Sequence, residues 1–132
     1  MHDYADAAER HFLSADAVHT EHPATASHCY GIAAECVLKA LMSNLQPQVN
    51  RVSGKHIGAS LWAEFANHQT LQTHPSRIAG AIKYQSGFDG WDIGQRYLSR
   101  LSAEFAEAKV STQHQSARGL LGLLQLVQRG LA

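Results

Sequence analysis

The segment from Ala24 to Leu45 constrains this chain more than any other. Read at helical spacing, Cys29, Ala33, Cys36, Val37, Ala40 and Asn44 share one face. Tyr30, Ala34, Leu38, Leu41 and Leu45 fill the adjacent face, leaving His28, Gly31, Glu35 and Lys39 as a narrow polar edge. A helix that is apolar on two faces must be covered on two sides, so it belongs at the centre of a bundle. His22-Pro23 precedes it and Pro47 closes it, because proline restricts the residue before it and cannot continue a helix.

The flanking segments supply the cover. Tyr4, Ala8, Phe12, Ala15 and Val18 recur at spacings of three and four, which predicts a first helix from about Asp3 to His19. Gln46 to Lys55 is rich in turn formers. A third helix is expected over His56–Asn67, burying Ile57, Leu61 and Phe65. Trp62 beside them, and Phe88 later, are either core or interface anchors. Pro75 suits the first position of a short fourth helix reaching Tyr84. Gln85–Gly90 reads as a turn region, Trp91–Tyr97 follows no simple period, and residues 98–111 are ambiguous. A last helix from Thr112 to Arg129 carries the stripe Ala117, Leu120, Leu121, Leu124 and Val127. The fold expected is all-α, a four- to five-helix up-and-down bundle forming a single domain over 132 residues.

Charge and composition narrow the function classes. Eleven basic residues balance eleven acidic ones, which argues against coating nucleic acid or membrane by bulk electrostatics. The balance is uneven along the chain. Six acidic residues face two basic ones in residues 1–45, and six basic residues face three acidic ones in residues 46–100. The basic middle can form a local anion site. No apolar run approaches the roughly 20 residues that span a bilayer. The polar, acidic start resembles neither a secretory nor a transit segment, so a cytoplasmic location is expected.

Cys29 and Cys36 stand seven apart on one helix, about 10.5 Å along its axis and too far for a disulfide, so they are read as structural thiols. Nine histidines invite a metal reading. Only His19 and His22 have helical ligand spacing, and Pro23 interrupts the helix there. No metal site and no cofactor are expected, and the histidines are read as scattered over the surface.

One constellation spans three elements. Glu35 and Lys39 lie on the polar edge of the central helix, Lys55 and His56 open the third helix, and Arg96 and Tyr97 end the irregular segment begun by Trp91. A buried ion pair needs partners. Arg96 can fork onto Glu35, or a phosphate can take Lys55, His56 and Arg96. The same residues can equally clamp the helices together with no ligand.

The stretch His28-Cys29-Tyr30-Gly31-Ile32-Ala33-Ala34-Glu35-Cys36-Val37-Leu38-Lys39-Ala40-Leu41 resembles the second helix of HEPN domains. Lys55-His56-Ile57 with Leu61-Trp62 resembles the start of their next helix, and Trp91-Asp92-Ile93 with Arg96-Tyr97 a late segment. The resemblance runs in order over roughly residues 4–130. It implies a helical bundle, often a homodimer, in prokaryotic defence or toxin–antitoxin settings. Members there act as metal-independent ribonucleases, as partners of minimal nucleotidyltransferases, or as RNA- or nucleotide-binding modules. Catalytic members carry Arg and His separated by four to six residues, with His moving a proton and Arg meeting the phosphate. Arg51 and His56 match that spacing. Seven arginines and nine histidines make about one such match expected by chance. Val52 stands where catalytic members favour Asn, Asp or His, and the positions after Arg96 that would hold the histidine are Leu101, Ser102 and Ala103. The reading expected is a HEPN-like module that binds or regulates rather than cleaves, with a ribonuclease or a nucleotidyltransferase partner as alternatives.

Overall fold

The computed structural model describes residues 1–47 and 53–132. Five α-helices form among the described residues: α1 (Tyr4–Val18), α2 (Pro23–Met42), α3 (Ala59–Asn67), α4 (Pro75–Ile82) and α5 (Glu107–Gln128). Short 3-10 segments at Gln69–Leu71, Gln85–Phe88, Ile93–Tyr97 and Ala103–Phe105 connect them, and no β-strand forms among the described residues. No helix is long and apolar enough to cross a membrane among those residues.

The two-faced helix is central as expected. Fourteen of the twenty residues of α2 are buried, because α1 packs on one side of it and α5 on another. The α1 stripe Tyr4, Ala8, Phe12 and Ala15 is buried, and so are Leu120, Leu124 and Val127 of α5. Helices α3 and α4 are short; α3 packs against α2 and α4, and α4 against α5. Trp62 and Phe88 are buried in the core, which decides between the two roles open to them.

The structure moves several expected boundaries. Helix α2 ends at Met42 rather than Leu45 because Asn44 and Leu45 adopt positive φ, 52° and 65°, with the Leu45 N–H returning to the Ala40 carbonyl at 2.9 Å. Helix α3 begins at Ala59, not His56, because the backbone is still extended at Gly58 (φ 158°, ψ −179°), and the first helical bond runs from the Trp62 N–H to the Gly58 carbonyl at 3.0 Å. Helix α5 begins at Glu107, ahead of the expected Thr112. Its first turn carries Val110 as a single large apolar residue, too little for a periodic signal.

The segment without a period is a lid over α2. Trp91 packs against Gly31, so the indole fills the place a Cβ would take there. The Trp91 Nε1–H donates to the Ser27 carbonyl at 2.9 Å. Asp92 and Gln95 then close a capping box around the 3-10 turn, and Gln95 Nε2 donates to Ser27 Oγ at 2.7 Å. The edge read as polar is therefore largely covered: Gly31, Glu35 and Lys39 are all buried.

Two glycine-to-alanine substitutions separate packing from propensity. Alanine favours a helix over glycine by about 1 kcal/mol. At Gly122, where a Cβ meets nothing within 4 Å, Gly122→Ala is expected to raise stability by up to about 1 kcal/mol. At Gly31 the displaced indole reverses the sign, and Gly31→Ala is expected to lower stability by about 1–3 kcal/mol. Urea unfolding of both variants is the check; a stabilising Gly31→Ala would remove Trp91 from that face.

Candidate functional site

Glu35 organises the first site. Its carboxylate lies 5% exposed inside the bundle, where an unpaired charge is costly. Lys39, one turn on and 1% exposed, donates Nζ to Oε2 at 3.0 Å. Oε1 faces His56 Nδ1 at 3.0 Å and also accepts the Ile57 N–H. The Lys39 ammonium sits 5.8 Å from the centre of the Tyr4 ring, a further favourable position for a buried cation. The His56 side chain remains 40% exposed, so Glu35 fixes one ring nitrogen while the other edge of the ring faces outward.

The constellation expected from sequence is thus brought together only in part. Glu35, Lys39 and His56 meet. Arg96 does not fork onto Glu35; its guanidinium stacks over the Tyr97 ring at 4.9 Å, and among the described residues it forms no ion pair. Lys55 is exposed, and the bond given for it runs from its backbone N–H to Ser53 Oγ at 3.1 Å. Neither Lys55 nor His56 stands at a helix N-terminus, which removes the dipole argument for an anion there. Arg51 lies outside the described residues, so its pairing with His56 has no geometry.

Arg96 belongs to a second grouping near the start of α2. A concavity of about 140 Å³ is lined by Ala24, Thr25, His28, Gln95, Arg96 and Phe105. The His28 ring stacks on Trp91, 6.2 Å between centres and 20° between planes, and its Nδ1 is buried without a hydrogen-bond partner among the described residues. Burial and then the positive charge of Arg96 hold the His28 pKa below 6.5. His11, half-buried nearby, is lowered in the same way by burial and by Arg10. Beside this concavity Tyr97 is 78% exposed. The first residue of α2 is Pro23, and its N-cap, His22, supplies no side-chain bond.

A third grouping was not visible in the sequence. Asp16 and His19 at the end of α1 meet His114 of α5 around the buried Tyr30 hydroxyl. Tyr30 donates to Asp16 Oδ1 at 2.6 Å. His19 Nδ1 and His114 Nδ1 lie 2.8 and 3.1 Å from the same hydroxyl, and His114 Nδ1 lies 2.9 Å from Asp16 Oδ1. His19 Nε2 faces Glu107 at 3.3 Å. Burial, and then the Asp16 bond, push the Tyr30 phenol well above its usual range. The expectation of scattered histidines is corrected here. Asp16 and His19 have the i, i+3 spacing that could have flagged them, but His114 stands 98 residues from Asp16 and has no local signal. Cys29 and Cys36 are free; burial pushes the Cys36 thiol up to about 12, which leaves it unreactive.

No family model, no curated protein and no solved structure matches the chain.

Two measurements follow from these environments. Glu35→Ala leaves the Lys39 charge buried without its carboxylate and is expected to cost about 3–5 kcal/mol, while the pair Glu35→Leu with Lys39→Met recovers most of the loss. Urea unfolding of single and double variants reads this; equal losses in both would show that the ion pair is not the reason. His28 resists protonation in the folded chain, so the unfolded chain binds more protons just below pH 6.5 and stability falls as pH drops through that window. NMR titration of the His28 ring is expected to give a midpoint below 6.5, and a midpoint above it would contradict the burial and the Arg96 field.

Proposed function

We propose that this chain is a HEPN-like module that binds the phosphates of single-stranded RNA or a nucleotide at the start of α2, and that it binds rather than cleaves. One observation carries the reading: the buried, unpartnered Nδ1 of His28 borders a concavity that also holds the ion-pair-free Arg96. At about 140 Å³ the space suits a phosphate rather than a whole nucleotide, since ligand pockets usually run to about 300 Å³ or more. The α2 N-terminus adds free N–H groups and the positive end of a dipole on the same side. Arg96 stacked on the exposed Tyr97 supplies an outward aromatic and cationic pair of the kind on which unpaired bases stack. A neutral chain is compatible with this, because the attraction is local.

A second reading is favoured by a specific contact. The buried Glu35 orients His56 through Nδ1 and leaves the ring part-exposed, an arrangement that positions a histidine for proton transfer. With Arg51 it would make the chain a metal-independent ribonuclease.

Anisotropy of a labelled single-stranded RNA over a salt series tests the first reading. Binding is expected to weaken with salt, and Arg96→Ala to reduce the logarithmic salt slope by about 1. Tyr97→Ala is expected to weaken binding by about 1–3 kcal/mol. Addition of RNA is expected to raise the His28 midpoint. Binding that is absent at low salt, or indifferent to both substitutions, overturns the proposal. Incubation of the same RNA with EDTA decides the second reading: cleavage lost in His56→Ala but kept in His74→Ala would replace binding by catalysis.

A further inference from the structure

The grouping around Tyr30 has the parts of a metal site. We propose that Asp16, His19 and His114 bind one first-row divalent transition ion, with zinc(II) as the probe. One carboxylate oxygen and two ring nitrogens, all within 4.8 Å of one another, form a mixed N/O donor set that suits zinc and its neighbours rather than magnesium or calcium, which prefer oxygen alone. Bonds of about 2.0–2.2 Å place tetrahedral donors roughly 3.5 Å apart, so small rotations of these side chains close the set around an ion.

The surroundings support a ligand role for each donor. His19 Nδ1 faces the Tyr30 oxygen at 2.8 Å, whose own proton goes to Asp16, so Nδ1 donates there in the absence of an ion; with an ion on Nδ1, the Nε2–H donates to Glu107. A carboxylate behind a histidine in this manner fixes the tautomer that a metal needs. Ser111 Oγ in turn donates to Glu107 at 2.8 Å and holds it in place. His114 packs against Phe12, 5.5 Å between ring centres, which limits its rotation. Tyr30 gives its single proton to Asp16 and stays neutral, so it orients the carboxylate without competing as a phenolate. Without an ion, the close approach of His114 Nδ1 to Asp16 requires a proton between them; the ion takes that place and the proton leaves to solvent. A surface groove of about 440 Å³ between α1 and α5 is bordered by Asp16, Phe12 and Arg118 and gives access. Three donors leave at least one coordination position open to water.

The test uses the full chain, freed of metal with EDTA and then of chelator. Calorimetric titration with zinc chloride is expected to show one ion per chain, and magnesium none. His114→Ala is expected to abolish that binding. Glu107→Gln, an exposed change that touches no donor atom, is expected to weaken it about 10–100-fold. His22→Ala and His74→Ala are expected to bind as the parent does, and this separates the site from incidental surface histidines. Cobalt(II) absorption on the parent and on Glu107→Gln reads the coordination independently. The proposal is overturned if the parent takes up no stoichiometric zinc, if folded His114→Ala binds like the parent, or if His22→Ala or His74→Ala removes binding. Where circular dichroism shows His114→Ala unfolded, Glu107→Gln decides, and unchanged affinity there overturns the site. Failure of RNA binding leaves these outcomes unaffected, because no residue tested here lines the concavity beside His28 and Arg96.

Discussion

A carboxylate in the middle of the most buried helix dictates much of what surrounds it. Glu35 cannot stay charged inside the bundle without compensation. Lys39 supplies it from the same helix, His56 and the Ile57 N–H from the chain leading into α3. The carboxylate therefore does two jobs at once. It neutralises a buried cation and it ties the approach of α3 to α2, so that Ile57 and Leu61 enter the core in register. Removing the charge from either end of this arrangement exposes the cost of the other.

What the sequence made legible follows the physics of periodicity. The faces of α2 and the stripe of α1 repeat over four or more turns, and burial at Tyr4, Ala8, Phe12 and Ala15 follows the stripe. The Glu35–Lys39 contact was readable as an i, i+4 pair. Trp91–Tyr97 was not readable as structure, because a 3-10 turn held by Asp92, Gln95 and Ser27 has no repeating apolar signal to betray it. The start of α3 lies later than the apolar spacing suggests for a related reason: Ile57 is buried from the extended chain ahead of Gly58, and burial alone does not reveal backbone conformation. The fork from Arg96 to Glu35 does not form, since the guanidinium stacks on the adjacent Tyr97, a local contact that the spacing of the two elements does not reveal. His19 and His114 converge only through the fold.

The histidines illustrate how company decides character. His28 sits with Arg96, a buried ring face and no acceptor for Nδ1, and its charged form is penalised. His19 and His114 sit with Asp16, Glu107 and a phenol, among acceptors on several sides. One residue type thus sits in two different polar environments within a single small bundle, and the environment rather than the count carries the chemistry.

The Ser27 hydroxyl has a single proton, and it donates that proton to Gln113 Oε1 at 2.7 Å while accepting from Gln95. The direction of the chain of bonds follows from Gln95, whose Oε1 accepts the Asp92 N–H and so turns Nε2 toward Ser27, leaving the hydroxyl proton for Gln113. The partners lie 86 and 68 residues away along the chain. Closing loops of that length is entropically expensive before any contact is gained. Ser27 thus ties two segments that are distant along the chain, the lid and α5, to one point of α2.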